Sequence, residues 1–249
     1  MAIVIKTPQE IEKMRRAGHI LAELLGVLTE SVVPGMKTKE LDRIAARELA
    51  RHGARSSFKG YKGFPAYLCV SVNDEVVHGI PGERVLREGD LVSLDVGAVA
   101  EGFQADAAVT VGVGKVSPRA QALLSAARGA LSAGIAAARR GARLGGISAA
   151  IQLYAESKGF SVVREYTGHG IGRQMHEDPQ VPNFGEPGEG PELVEGMTLA
   201  LEPMVNEGTW RTRVADNQWT VLTADGGLSA HFEHTIAITN DEPDILTVL

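Results

Sequence analysis

The sequence predicts an α+β fold in which helices cover one face of antiparallel sheets and leave the other face open for a site. Two observations predict it. Amphipathic helical segments occur in pairs, and each pair is followed by segments in which apolar and polar residues alternate at period two. The chain has 249 residues, of which 44% are apolar and 22% charged, so we expect one domain spanning residues 1–249.

The first pair of helices has recognisable end signals. Thr7 and Pro8 precede the amphipathic run QEIEKMRRAGHILAELLGVLTESV, which stops before a Pro-Gly pair. Proline is favoured at the first helical position because the N–H that it lacks has no helical partner there. The run TKELDRIAARELARHG predicts a second helix with Thr38 as its N-cap and Gly53 at its end.

The same order returns in the second half of the chain. A Ser-Pro pair opens RAQALLSAARGALSAGIAAARR, and the run GISAAIQLYAESKG follows it. Three residues around the shorter helices recur at a separation of 106 residues, with Gly35, Leu41 and Gly53 matching Gly141, Ile147 and Gly159. Chance similarity between amphipathic helices is the alternative, but the repeated Thr-Pro and Ser-Pro starts favour two related halves, about 1–113 and 114–249.

Strand patterns follow each helix pair. The runs LVSLDVGAV and FQADAAVTVGV alternate at period two, with Ala100, Glu101 and Gly102 as the turn between them. The runs TLALEPMV, WTVLTA and FEHTIAIT have the same character in the second half. Each half is therefore expected to contain two helices and an antiparallel sheet.

The first hairpin carries two acids. If it closes symmetrically about Ala100 and Glu101, Asp95 lies directly opposite Asp106 on one face. Opposed residues have Cβ atoms ~4.5–5.5 Å apart, so the two carboxylates repel unless one is protonated or a cation lies between them. Their neighbours on that face are small, which leaves room for a ligand, although two solvent-facing acids on an exposed sheet are the alternative.

The stretch GHGIGRQMHEDPQVPNF contains two histidines. The zinc-protease motif HExxH places its histidines four residues apart on one helical face, whereas His169 and His176 lie seven residues apart. Gly168, Gly170 and Gly172 make a regular helix improbable, so we expect a loop or an irregular strand. Because glycine-flanked histidines also occur in ordinary turns, this stretch alone leaves both interpretations open.

Further acids occur where a solvated carboxylate is not expected. Glu202 interrupts an apolar run, and Glu233 lies in an alternating strand. Together with the hairpin acids and one histidine they form a hard, oxygen-rich donor set of Asp95, Asp106, His169, Glu202 and Glu233. Such a set can hold two divalent ions ~3.5–4 Å apart and favours manganese, iron or cobalt over structural zinc.

Composition limits where the protein acts. Charged residues interrupt MAIVIKTPQEIEKMRR before any run is long enough for a signal peptide, and no segment has about 18 uninterrupted apolar residues, so we expect a cytoplasmic protein without membrane contact. Cys69 is the only cysteine, which excludes an intrachain disulfide and a cysteine-based zinc cage. The net charge of −6 argues against nucleic-acid or membrane binding by the whole surface, and we expect no specific nucleic-acid partner. The run Arg139–Arg143 is more typical of a solvated face than of the alternative, a local binding patch.

Five stretches together carry a resemblance to a known family. VNDEVVHGIP, LVSLDVGAVAEGFQADAAVT, GHGIGRQMHE, LALEPMV and FEHTIAIT resemble, in order and spacing, the motifs of the bacterial-type (type I) methionine aminopeptidases. The resemblance covers nearly the whole chain. It implies the pita-bread fold, with two pseudo-symmetric halves, and removal of the N-terminal methionine from nascent proteins and peptides when the second residue is small.

The resemblance also implies a dinuclear site with two divalent ions of cobalt, manganese, iron or zinc. Asp95 would bind one ion, Asp106 and Glu233 would bridge both, and His169 and Glu202 would complete the second. Gly-rich backbone around His169 would pass close to the ions and the peptide.

Reaction and specificity roles follow from the same resemblance. His78 would face the scissile bond as a hydrogen-bond partner or proton donor, Glu202 would be the proton shuttle, and His176 would stabilise the developing oxyanion. The pocket for the first side chain would be built from four residues, with His78 and His176 at its rim: Tyr61, Phe64, Cys69 and Trp219. The implied partners are nascent polypeptide N-termini, and the protein would be a monomer. Arg211 and Arg213, near a predicted surface loop, are the one hint in the sequence of a transient ribosome contact.

Two departures and three alternatives remain. His231 stands where glutamine is expected and Met175 where phenylalanine is frequent, which leaves fine specificity open. A prolidase or X-Pro aminopeptidase would use the same ligands but usually carries an extra N-terminal domain, for which 249 residues leave no room. A metal-free binding homologue, or metal-free creatinase-like hydrolysis, is disfavoured because all five ligands are present.

Overall fold

The computed structural model describes residues 2–249, so the first residue of the predicted domain, Met1, lies outside the described residues. Helix α1 (Pro8–Ser31) begins where the sequence predicts it. The Thr7 hydroxyl accepts a hydrogen bond from the backbone N–H of Glu10, and the Glu10 carboxylate accepts one from the backbone N–H of Thr7 at 2.9 Å. This capping box satisfies two N–H groups at the helix start.

Helix α2 (Thr38–Arg51) corrects the predicted cap. Lys37 occupies the N-cap position, and Thr38 is the first helical residue. The Thr38 hydroxyl accepts a hydrogen bond from the Gly82 N–H at 2.8 Å, so it joins the helix to a distant loop instead of capping it. A cap and a first helical residue differ by one position, and the sequence contains no sign of this tertiary contact.

The second helix pair consists of α3 (Pro118–Ala137) and α4 (Leu144–Ser157). Ser117 caps α3 by accepting a hydrogen bond from the Ala120 N–H at 3.1 Å. Helices α2 and α4 each have 14 residues, and their starts and ends are both 106 residues apart. This match supports the hypothesis of two related halves, whose boundaries at 1–113 and 114–249 stay a prediction.

Strands occupy most of the remaining chain. Residues 2–249 form β1 (Arg55–Ser56), β2 (Cys69–Val72), β3 (Glu75–Val77), β4 (Leu91–Ala100), β5 (Phe103–Gly112), β6 (Ser161–Val162), β7 (Thr167–Gly170), β8 (Glu177–Pro182), β9 (Thr198–Leu201), β10 (Met204–Asn206), β11 (Thr212–Val214), β12 (Val221–Thr223), β13 (Ser229–His231), β14 (Glu233–Ala237) and β15 (Asp244–Ile245). A short 3₁₀ helix spans Tyr61–Gly63.

One large antiparallel sheet organises the molecule. Its nine strands follow the order β1-β4-β5-β14-β9-β7-β8, with β2 also paired to β4 and β15 to β14. Two three-stranded sheets have the orders β13-β10-β6 and β11-β12-β3. The strands β4, β5, β14, β9 and β7 are therefore consecutive neighbours although they come from both halves of the chain.

The register of the β4–β5 hairpin differs from the prediction. Ala100 pairs with Phe103, so the turn contains only Glu101 and Gly102, which have positive φ of 49° and 78°. Two residues with positive φ form the tight turn that matches strand twist. Asp106 therefore pairs with Gly97, and the prediction that it lies directly opposite Asp95 is wrong. Because the shift is two residues, both acids keep the same face.

The two faces of the hairpin have different neighbours. Val92, Leu94 and Val96 are fully buried and pack in one core cluster with the apolar residues of α1 and α2. The alternate residues, including Asp95 and Asp106, face away from these helices. None of the helices within residues 2–249 is both long and apolar enough to cross a membrane.

Candidate active site

The open face of the large sheet borders a cavity of about 210 Å³. Every residue that the sequence predicts for the site lines it: Tyr61, Phe64, Cys69, His78, Asp95, Asp106, His169, His176, Glu202, Trp219 and Glu233. Phe58, Lys62 and Met175 complete the lining, and the first two were not predicted. Phe58 had a weak signal, since it lies beside the GYKGF segment that supplies Tyr61 and Phe64.

Central strands fix the acids. Asp95 lies on β4, Asp106 on β5, and Glu233 begins β14, where it pairs with Ala108. The Thr235 hydroxyl accepts a hydrogen bond from the Asp106 N–H at 2.9 Å and donates one to the Asp106 carbonyl oxygen at 2.8 Å. These reciprocal bonds join β5 to β14 and bring carboxylates from the two halves of the chain together.

The carboxylates are buried without enough partners. Asp95, Asp106 and Glu233 are 8%, 4% and 2% exposed, and one oxygen of each has no hydrogen-bond partner among residues 2–249. Ligand atoms of Asp106, His169 and Glu233 lie within 4.8 Å of one another. Because unpaired buried charge is costly, this cluster requires either protons or a cation. Its oxygen-rich chemistry with one imidazole fits divalent metal ions.

Burial and mutual repulsion control the protonation of the cluster. Burial raises the pKa of Asp106 from 3.8 to about 7. Burial, followed by the negative charge of Asp106, raises the pKa of Asp95, Glu202 and Glu233 well above their ordinary values. Each of these carboxyls therefore binds protons more tightly than it does in the unfolded chain.

His169 presents one nitrogen to the acids. Its Nδ1 lies 2.9 Å from the Gly170 carbonyl oxygen, which can only accept a hydrogen bond, so Nδ1 carries the hydrogen. Its Nε2 lies 3.6 Å from Glu202 Oε1. Burial lowers the pKa of His169 to about 3, so the ring is neutral and Nε2 keeps the lone pair that a metal ligand needs.

The glycines beside His169 accommodate neighbouring backbone. A Cβ atom at Gly168 would collide with the Ala200 carbonyl oxygen, and one at Gly170 would collide with the Asp178 carbonyl oxygen. The expectation that these glycines also bring the backbone close to the ions and the peptide stays a prediction. They allow β7 to lie close to β9 and β8, which places His169 beside Glu202.

Two further histidines flank the acids. His78 has a positive φ of 60°, which is rare for a residue with a side chain, and burial lowers its pKa to about 4. His176 lies with its ring centroid 4.2 Å from that of His169. Its Nδ1 is 3.0 Å from the Tyr61 hydroxyl oxygen. If Tyr61 donates to Nδ1, the Nε2 of His176 carries a hydrogen that it can donate.

An aromatic pocket adjoins the acids. Phe58, Phe64, Cys69 and Met175 are buried in one cluster, against which Trp219 packs. The Phe64 ring meets the Trp219 ring edge to face with centroids 5.2 Å apart. Burial and the charge of Asp95 raise the pKa of Cys69, so its thiol is neutral. The cavity thus combines an apolar recess with a buried acidic cluster.

His231 ends β13 and lies near Glu202. It is 1% exposed, neither ring nitrogen has a hydrogen-bond partner within residues 2–249, and Nε2 is 3.9 Å from Glu202 Oε2. Burial lowers the pKa of His231 to about 3, so the ring is neutral. The effects of His231 and Met175 on fine specificity stay predictions.

Stability of the metal-stripped protein should fall as pH rises through about 7. A carboxyl whose folded pKa is raised contributes stability that is fully present below its ordinary pKa and lost above its folded pKa. For Asp106 these values are 3.8 and about 7. Added divalent metal replaces the lost protons, so the metal-induced increase in Tm should be larger at pH ~8 than at pH ~5. Calorimetry with and without Mn²⁺ measures this, and an equal increase at both pH values would contradict it.

Comparisons with known proteins agree with this geometry. The model of "Metallopeptidase family M24" matches residues 12–240. The chain is 53% identical to a methionine aminopeptidase of Clostridium perfringens over 99% of both chains. It is 51% identical to methionine aminopeptidase 1 of Bacillus subtilis over 98% of this chain and 99% of that one.

Solved structures give the same result. A crystal structure of methionine aminopeptidase from Thermotoga maritima matches with a TM-score of 0.98 and 48% identity over 100% of both chains. A prolidase from Pyrococcus furiosus matches with a TM-score of 0.81 but 21% identity, over 99% of this chain and 66% of that one. The second match shows a shared fold alone.

Proposed function

The chain belongs to the methionine aminopeptidases of metallopeptidase family M24, and we propose that the cavity between the acids and the aromatic pocket is its active site. The chain has the predicted pita-bread fold. It is a metal-dependent hydrolase that removes the N-terminal methionine from polypeptides. The observation that carries the site assignment is a cluster of buried carboxylates with unpaired oxygens beside an apolar recess.

The proposed ligands are the five residues inferred from the sequence, Asp95, Asp106, His169, Glu202 and Glu233. Divalent ions bound there would polarise a carbonyl group and lower the pKa of water. The unpaired oxygens of Asp95, Asp106 and Glu233 support their role as residues that would hold divalent ions. The neutral His169, with its lone pair on Nε2, supports its role on the second ion beside Glu202.

Three side chains are proposed to act on the peptide. Glu202, whose pKa is raised by burial and by the charges of Asp106 and Asp95, takes up and returns the proton that moves during hydrolysis. His176 donates a hydrogen bond from Nε2 to the carbonyl oxygen as negative charge develops. His78 donates a hydrogen bond at the scissile bond.

The aromatic recess is proposed to bind the first side chain. Tyr61, Phe64, Cys69 and Trp219 line it, and His78 and His176 lie at its rim. A methionine thioether is flexible and polarizable, and each contact between sulfur and an aromatic ring contributes roughly 0.3–1.5 kcal/mol. An enclosed recess disfavours charged and β-branched side chains, and the crowded rim favours a small second residue.

The natural substrates are proposed to be nascent polypeptides, processed by a cytoplasmic monomer in transient contact with the ribosome. Arg211 and Arg213 support the last part, because both are exposed near β11. Arg211 lies over the Trp210 ring with its guanidinium carbon 4.7 Å from the centroid. An exposed pair of arginines beside an aromatic ring suits a surface rich in phosphate.

Peptide selectivity tests the proposed pocket. Met-Ala-Ser should be cleaved well, Met-Leu-Ser poorly and Leu-Ala-Ser hardly at all, because the first side chain must fill the recess and the second must pass its rim. Trp219→Ala should reduce the preference for methionine over leucine at the first position, because it removes the ring that packs on Phe64 in the wall of the recess. The measurement is kcat/KM for each peptide, with Ala-Pro-Ala as the comparison. Equal rates on the methionyl and prolyl peptides would contradict the assignment.

A further inference from the structure

Lys6 is buried and does not line the cavity of the proposed site. Its side chain is 3% exposed, and Nζ lies 2.5 Å from Glu177 Oε2, whose side chain is 9% exposed. Nζ also donates a hydrogen bond to the Val4 carbonyl oxygen at 3.0 Å. Lysine is almost never this buried unless it is paired, so the contact with Glu177 is what allows Lys6 to be there.

Two glycines leave the space that Lys6 occupies beside Glu177. A Cβ atom at Gly172 would collide with Lys6 Cε and approach Glu177 Oε1. A Cβ atom at Gly196 would lie 2.6 Å from the Lys6 carbonyl oxygen. The Lys6 N–H donates a hydrogen bond to the Gly196 carbonyl oxygen at 2.8 Å, which fixes the lysine at its backbone as well. Contacts therefore fix both the backbone and the ammonium group of Lys6.

Glu177 closes the turn that carries His176. Its second oxygen, Oε1, accepts a hydrogen bond from the Gln174 N–H at 3.0 Å. Between these two residues lie Met175, which is buried in the aromatic pocket, and His176, which lines the cavity. The carboxylate thus connects Lys6 to a four-residue turn with two cavity side chains.

Other contacts also hold this turn. The Gln104 N–H donates a hydrogen bond to the Gly172 carbonyl oxygen at 2.8 Å, which holds the chain before the turn. The His176 ring has one side-chain hydrogen bond, to Tyr61. The orientation of His176 depends on its contacts with Tyr61 and His169 and on the backbone of the turn. Glu177 helps to hold that backbone through its hydrogen bond to the Gln174 N–H.

We propose that Lys6 is a positioning residue for His176, acting through the buried Glu177 carboxylate that closes the turn from Gln174 to Glu177. This inference rests on the proposed role of His176 in hydrolysis. Lys6 does not line the cavity, and its role is to hold the turn so that Nε2 of the His176 imidazole can donate to the carbonyl oxygen. A misplacement of about 1 Å can cost on the order of 10²-fold in rate.

A functional double-mutant cycle tests this inference. kcat and KM for Met-Ala-Ser are measured on the wild type, Lys6→Met, His176→Ala and the double variant, each with its metal content determined. Lys6→Met should lower kcat by about 10- to 10²-fold with KM changed less than about twofold and the metal content unchanged. In the His176→Ala background, Lys6→Met should have less than about a twofold further effect, since no imidazole remains to be positioned.

A double variant without the ion pair is needed in case Lys6→Met leaves Glu177 unpaired and unfolds the protein. Lys6→Met combined with Glu177→Met replaces the buried ion pair by apolar side chains of similar size, which folded proteins often tolerate. The double variant also loses the hydrogen bond between Glu177 and the Gln174 N–H, which closes the turn. Its kcat is therefore compared in the wild-type and His176→Ala backgrounds in the same way. Lys37→Met is the control, because Lys37 forms an exposed ion pair with Glu83 at 2.8 Å, and it should keep the wild-type kcat.

The outcomes separate the inference from the proposed function. Equal losses from Lys6→Met in both backgrounds would mean that the ion pair only stabilises the fold, and the positioning role would be wrong while the role of His176 stood. Wild-type kcat in His176→Ala would overturn the role of His176 itself and, with it, the positioning role. Losses of kcat that are not additive in the double variant support both the role of His176 in hydrolysis and the positioning role of Lys6.

Discussion

Asparagine in place of Asp106 should give a folded protein that has no detectable peptidase activity and binds divalent metal weakly. The substitution keeps the size of the side chain and removes its charge. Asp106 is 4% exposed, and its Oδ1 has no partner within residues 2–249, so this oxygen is available to coordinate a cation. Elemental analysis of the purified protein and hydrolysis of Met-Ala-Ser at saturating Mn²⁺ measure the two losses.

Stability distinguishes loss of a ligand from loss of the fold. Burial and, after it, the charge of Asp106 raise the pKa of Asp95, Glu202 and Glu233, so removal of that charge relieves repulsion in the cluster. At neutral pH the stripped Asp106→Asn variant should therefore be at least as stable as the stripped wild type. Asp241→Asn, at an exposed position, is the matched control and should keep both metal and activity. Full activity in Asp106→Asn would overturn the ligand assignment.

The face of each acid could be predicted from the sequence, but the strand register could not. Period-two alternation decides which residues share a face, and it survives any register shift of two residues. The register depends on the turn, and Glu101 adopts a positive φ that glutamate rarely takes. The sequence AEG therefore suggested a three-residue turn, whereas Glu101 and Gly102 alone form it.

Cavity residues outside the strands were harder to find. Tyr61 and Phe64 were inferred through a family resemblance, and Phe58 was missed because the segment around the 3₁₀ helix has no periodicity that separates cavity lining from core. Lys6 and Glu177 lie 171 residues apart and belong to no periodic pattern. A lysine near a chain start is typical of a solvated position, and only tertiary packing shows that it is buried.

The backbone of His78 indicates a role that differs from that of the acids. A positive φ costs a residue with a side chain on the order of 1–3 kcal/mol, and such conformations cluster at functional sites. The φ of His78 is 60°, and the ring meets Tyr166 edge to face with centroids 6.0 Å apart. Burial lowers its pKa to about 4, so at neutral pH the ring is uncharged and can donate one hydrogen bond.

His78→Ala should therefore keep its metal and lose turnover by a factor on the order of 10²–10⁴, the range expected when a group that transfers a proton or stabilises charge is removed. Potential ligand atoms of Asp106, His169 and Glu233 lie within 4.8 Å of one another without His78, so metal uptake should not change. His19→Ala, at an exposed position on α1, is the control and should behave as the wild type. Metal content and kcat are measured on the same preparations. A metal-free His78→Ala protein would make His78 a ligand, and unchanged turnover would remove it from the reaction.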